Sequence, residues 1–136
     1  FDFSALNDKH IEIVLSLFNH ISLALVGVGS IDVFSPLIKK SGNILPKEEM
    51  KRLINKGAVG DIGLQFFDIC GKKISISEKY KVIGMTLEQL KKANNAIVVA
   101  GGIHKVKAII GALNTSAINT LITDPNTAKE IIKYVK

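Results

Sequence analysis

This chain predicts an α/β fold: a mostly parallel sheet flanked by helices, with one antiparallel hairpin. Three features carry that expectation. The apolar runs at 22–28 and 96–100 are continuous rather than alternating, as in strands buried on both faces, and both run into glycines. Segments with apolar residues at helical spacing separate them. Between them, 57–68 opens with two glycines three apart, then an acid, then an alternating run with β-branched and aromatic residues, ending in a turn signal.

Taken in order, Asn7 or Asp8 can cap a helix carrying Ile11, Val14, Leu15, Phe18 and Ile21. His10 and His20, near its ends, lack a second ligand at metal-binding spacing and read as surface residues. The strand at 22–30 breaks into Gly27 and Gly29. That pair resembles a dinucleotide loop, but the third glycine of the fingerprint would fall at Asp32 and no helix opens there, so a Rossmann cofactor site is rejected. What remains is a bare strand end with Ser30, suited to lining a ligand crevice. Ser35-Pro36 starts a short helix with Gly42 beyond its end, and Pro46 starts another that closes at Gly57 in the left-handed conformation.

The strand holding Asp61 is expected to run to Phe67, with 68–71 turning it back into Lys73-Ile74-Ser75-Ile76. Residues 80–85 read as extended. Thr86 and Gln89 form a capping box opening a helix to about Ala93. Strand, diglycine turn and helix follow, through Gly101, Gly102 and Lys105, with apolar Val106, Ala108, Ile109, Ile110 and Leu113. Leu121 and Ile122 lead into Asp124-Pro125, an N-cap with proline at the first helical position, and a last helix to about Tyr134.

Bulk properties narrow the function. A length of 136 residues suits one domain or part of one, and 47% apolar against 22% charged residues describes a globular chain. The net charge of +6 is spread over scattered lysines, without interleaved aromatics or zinc-finger spacing, which argues against direct contact with DNA. One cysteine, Cys70, excludes an internal disulfide and suits a reducing, cytoplasmic setting. No apolar stretch is long enough to span a bilayer, so no membrane partner is expected. No metal or other cofactor is expected either.

Two residues stand out chemically. Gly60 removes a side chain just where Asp61 appears, so another backbone or a small ligand can approach, and a carboxylate there can accept hydrogen bonds from sugar hydroxyls. The plainer alternative is that Asp61 caps a turn. Lys105 lies in the first turn of a helix, against the dipole preference for acids, which makes sense if an anion binds between the amine and the helix N-terminus. Gly29, Gly101 and Gly102 all lie at C-terminal strand ends, where α/β sheets hold ligands. The candidate binding residues are therefore Asp61, Lys105, Gly60, Gly101, Gly102, Gly29 and Ser30, with no catalytic residue among them.

Three stretches together resemble the sugar-binding domain of SorC-type bacterial transcription regulators. They are Gly57-Ala-Val-Gly-Asp-Ile with Phe66-Phe67-Asp68 and Gly71, then Val99-Ala-Gly-Gly with Lys105, Ala108 and Ile109, and finally Asn119 to Asp124 with Ala128. The likeness runs roughly from Leu23 to Ile132. It implies a fold of the NagB/RpiA/CoA-transferase-like group and a phosphorylated sugar effector. It also implies a homo-oligomer that binds DNA through an N-terminal helix-turn-helix. Asp61 would meet effector hydroxyls and Lys105 its charged end. It further implies that 1–136 is the C-terminal part of a truncated domain, without the helix-turn-helix and the first phosphate-holding loop. The alternative function is a phosphosugar isomerase or deaminase. That chemistry needs a second acid or base beside Asp61, which the sequence does not tie to it.

Overall fold

A computed structural model describes residues 8–31 and 45–135. The helix expected after Ser35-Pro36, the position of Asp32, and Asn7 as a cap lie outside the described residues.

The described chain builds two sheets. Strands β1 (Leu23–Val26), β6 (Asn95–Val99) and β7 (Thr120–Ile122) form a parallel sheet in the order β1-β6-β7. Strands β2 (Gly29–Ser30), β3 (Ala58–Ile62), β4 (Gln65–Asp68) and β5 (Lys73–Ile74) form an antiparallel sheet in that order. The helices are α1 (Lys9–Leu17), α2 (Lys47–Asn55), α3 (Leu87–Lys92), α4 (Val106–Asn114) and α5 (Pro125–Val135).

Local chemistry sets most boundaries as expected. Asp8 caps α1 by accepting from the His10 amide at 2.8 Å. Gly57 ends the α2 connection at a φ of 88°, which a side chain would strain. Thr86 and Gln89 exchange both capping-box bonds, Thr86 Oγ1 accepting from the Gln89 amide and Gln89 Oε1 from the Thr86 amide.

Several expectations need correction. The run at 22–30 is two strands, because Leu23–Val26 pairs with β6 while Gly29–Ser30 pairs antiparallel with β3. Apolar continuity cannot reveal which sheet a strand joins. The Asp61 strand stops at Ile62 and folds back immediately: Gly63 and Leu64 take φ values of 57° and 63°, the two-residue turn that matches strand twist. Among the described residues there are thus two hairpins, which together with β2 form a separate sheet. Residues 80–85 contain no strand. Lastly, a 3₁₀ turn (Ile103–Lys105) precedes α4, so Lys105 is the N-cap residue rather than a member of the first α-helical turn.

The main core gathers Ala24, Ala96 and Val98 from the inner face of the parallel sheet with Leu87 and Leu90 of α3, Ala108 and Ile109 of α4 and Ile131 of α5. A second cluster joins Leu53 of α2 to Ala58, Phe66 and Ile74 of the antiparallel sheet. Glu49, only 5% exposed, is paired with Arg52; it accepts from the Ser77 amide while Arg52 donates to the Ser75 carbonyl, tying α2 to the chain after β5. Among the described residues, the expected burial of the parallel strands on both faces is not met. Leu23, Leu25, Val99 and Ile122 alternate with the core residues and are exposed, Leu25 at 69%.

Candidate functional site

The site lies where the chain crosses from one sheet to the other. Leaving β1 at Val26, it passes Gly27 and Val28 and enters β2 opposite β3, so that Gly29 faces Asp61 and Ser30 faces Gly60 across the pair. Gly29 leaves room for the Asp61 carboxylate: a Cβ added there would stand 2.1 Å from Asp61 Oδ1. Gly60 admits other parts of the protein, since its Cβ would come within 2.6 Å of both Ala108 Cβ and the Gly29 carbonyl oxygen. Of the two approaches expected at Gly60, the one seen is by protein atoms.

Asp61 does cap a turn. Its Oδ2 accepts from the Leu64 amide at 2.9 Å and holds the two-residue turn closed. Among the described residues, that amide is the one hydrogen-bond donor the carboxylate meets, and it makes no salt bridge. Burial pushes the Asp61 carboxyl above its ordinary value, opposed by the Leu64 amide and the charge of Lys105. An ionised group so poorly compensated costs stability, and such groups concentrate at functional sites.

Lys105 reaches the same segment. Its amine donates to the Val28 carbonyl at 3.0 Å, one residue before Gly29, while Ser30 Oγ donates to the His104 carbonyl at 3.3 Å. The diglycine loop, the 3₁₀ turn and β2 are therefore joined. Asp61 and Lys105 feel one another's charge without pairing, both converging on 28–30.

Gly101 and Gly102 follow β6 at the C-terminal edge of the parallel sheet and pack on the start of α5. A Cβ on Gly101 would meet Asp124 Oδ2 at 2.6 Å, and Gly102 has a φ of 109° that favours glycine. Asp124 is the N-cap its sequence suggests, with Oδ1 accepting from the Asn126 and Thr127 amides at 3.0 Å each. The sequence reading missed its other oxygen, which accepts from the Thr127 hydroxyl and, at 3.3 Å, from the Gly102 amide. Thr127 itself is fully buried and accepts from the Gly102 amide at 2.7 Å. A hydroxyl at the third helical position after an Asp cap was the available signal, although only the fold brings it to the diglycine.

A cavity of about 340 Å³ opens beside the Asp61 hairpin, lined mainly by apolar groups including Val26, Ile62, Leu64, Val82 and Met85. Asp61 and Lys105 are not part of its wall. No helix among the described residues is long and apolar enough to cross a membrane.

The family model described as "Putative sugar-binding domain" matches residues 4–133. The chain belongs to this sugar-binding domain family of SorC-type transcriptional regulators. It is 37% identical over 125 residues to the deoxyribonucleoside regulator of Bacillus subtilis, an alignment spanning 92% of this chain and 39% of that protein. It is 30% identical over 131 residues to the sorbitol operon regulator of Klebsiella pneumoniae, spanning 94% and 40% respectively. The crystal structure of that full-length regulator, SorC, superposes with a TM-score of 0.83 at 29% identity, covering 95% of this chain and 41% of the other. A transcriptional regulator from Streptococcus pneumoniae gives a TM-score of 0.83 at 30% identity, covering 96% and 49%. The chain thus spans about two fifths of the length of these curated relatives.

Proposed function

We propose that this chain is the C-terminal part of the effector-sensing domain of a sugar-responsive transcriptional regulator, and that its ligand is a phosphorylated sugar or a related metabolite. Asp61 accepts hydrogen bonds from the sugar hydroxyls, and Lys105 faces the anionic end. Gly29, Ser30, Gly60, Gly101 and Gly102 form the backbone rim. The observation that carries this reading is the desolvated Asp61 carboxylate, held among the described residues by one amide and no salt bridge, beside a lysine amine that gives one of its three N–H groups to a backbone carbonyl. A ligand offering hydroxyls to the first and an anion to the second relieves both. Since a ligand moves an equilibrium only through its different affinity for two states, closure of the 28–30 and 101–105 segments around it is the source of the signal.

In this reading the full-length protein is a cytoplasmic homo-oligomer that contacts DNA through a helix-turn-helix outside 1–136. The bare outer face of the parallel sheet supports the larger-domain part of it. Parallel sheets are covered on both sides, and relatives of this chain are more than twice its length. The transcriptional-regulator relatives favour sensing over isomerase or deaminase chemistry, and among the described residues no His or second carboxylate bonds Asp61.

The test is a panel of ribose 5-phosphate, fructose 6-phosphate, glucose 6-phosphate and inorganic phosphate, followed by melting temperature and by solvent-deuterium uptake into the sugar. A rise in melting without exchange, lost in Asp61→Asn, is the expected result. Deuterium uptake at a sugar carbon would overturn it in favour of the enzyme.

A further inference from the structure

The Thr127 hydroxyl is the atom through which α5 grips the diglycine loop. An ionised carboxylate can only accept, so the close contact between Thr127 Oγ1 and Asp124 Oδ2 requires the hydroxyl to donate to Asp124. Its single proton is then committed, and its lone pairs face the Gly102 amide at 2.7 Å. The second acceptor of that amide, Asp124 Oδ2, stands at 3.3 Å, so Thr127 provides the better bond. The hydroxyl is fully buried, and no water can replace it without opening the α5 contact.

Gly102 in turn controls Lys105. Its carbonyl accepts from the Lys105 amide at 2.9 Å, closing the 3₁₀ turn at whose end Lys105 becomes the N-cap of α4. From that point the side chain reaches the Val28 carbonyl. Gly102 adopts a φ of 109° and has the ring of His104 against the place a Cβ would occupy, so its conformation depends on what holds its amide.

We propose that Thr127 is a positioning residue for Lys105: its oriented hydroxyl fixes the Gly102 peptide and, through it, the turn that delivers the lysine amine to the Val28–Ser30 segment. This inference rests on the sensing reading only for its ligand response; the control of the amine stands independently of any ligand.

Three variants test it in the same protein. Thr127→Val keeps the volume and removes the hydroxyl, Thr127→Ala removes it without crowding Asp124, and Thr127→Ser restores it. In the absence of ligand, brief acetylation with acetic anhydride followed by peptide mass spectrometry reads the reactivity of each amine. Lys105 acetylation is expected to rise several-fold in the Val and Ala variants and to return to the parent rate in Ser, while Lys107 and Lys129 stay constant. Whichever sugar phosphate raises the parent's melting temperature should raise that of the Val and Ala variants by less than half as much, with full recovery in Ser.

Unchanged Lys105 acetylation in a folded Val or Ala variant overturns the proposal, even where the variant melts lower, because the hydroxyl would then serve stability alone. If no phosphate shifts the parent protein yet Lys105 reactivity still follows the hydroxyl, the positioning role stands and the sensing reading falls. If the parent responds and the Val and Ala variants respond equally, the proposal fails and the sensing reading survives.

Discussion

Asp61 lies against the chain's crossing point and Asp124 at the start of α5 beside the diglycine loop, and their surroundings differ in kind. Asp124 receives four hydrogen bonds, from the amides of Asn126, Thr127 and Gly102 and from the Thr127 hydroxyl. These bonds, that of the Thr127 hydroxyl foremost, hold its carboxyl below the usual range. Asp61 receives one bond and is desolvated, which pushes its carboxyl up. A carboxylate surrounded by donors is fully used by the fold; one left short of them retains capacity for a ligand. Under the proposed function, the contrast separates a residue that supports the candidate site from one that is available within it.

The largest effect that would break this contrast comes from Gly29→Val. Its Cβ would overlap the Asp61 carboxylate and force it out of the β2–β3 pair. We expect a loss of about 2 kcal/mol in urea unfolding, as for other overpacked sites, together with loss of any ligand-induced melting shift. Unchanged stability would mean that Asp61 has another resting place and is not held as described.

The two aspartates should next respond oppositely to pH. A carboxyl whose pKa falls on folding stabilises the protein above its ordinary value of 3.8, and that contribution is lost as pH drops through the folded value. Asp124→Ala should therefore melt several degrees lower than the parent near pH 7, with the gap closing in acid. A carboxyl whose pKa rises on folding favours the fold below 3.8 and loses that contribution as pH climbs through the raised value. Asp61→Asn, which keeps an acceptor for the Leu64 amide, should consequently melt higher than the parent near pH 7 and equal to it in acid. Melting curves across a single pH series check both; parallel curves for the two variants would erase the distinction.

The smallest effect concerns the two faces of the parallel sheet. Leu25→Ser in this chain should change stability by no more than about 0.5 kcal/mol, because the side chain already meets water. If the proposed larger domain holds, the same substitution in a longer polypeptide that includes it should cost clearly more. Equal effects in the two contexts would remove that support for the larger domain.

The sequence by itself determined the elements whose causes are local. Asp8, Gly57, the Thr86–Gln89 box and Asp124 act within a few residues of their own position, so their side-chain chemistry announces helix ends without reference to the rest of the chain. It also singled out Asp61, Lys105 and the glycines around them as candidates, with turn capping by Asp61 as the plainer alternative, and the fold does use Asp61 as that cap. What only the tertiary structure decided is how those pieces meet. The partition of 22–30 between two sheets depends on which partner strand is nearer in space. The turn at Gly63-Leu64 joins a glycine suited to it with a leucine that seldom adopts a positive φ, and the Asp61 side chain accepts from that leucine's amide. The bond from Gly102 to Thr127 spans 25 residues. Periodicity and capping report on neighbours along the chain; contacts across it arise from packing, and packing is a property of the whole fold.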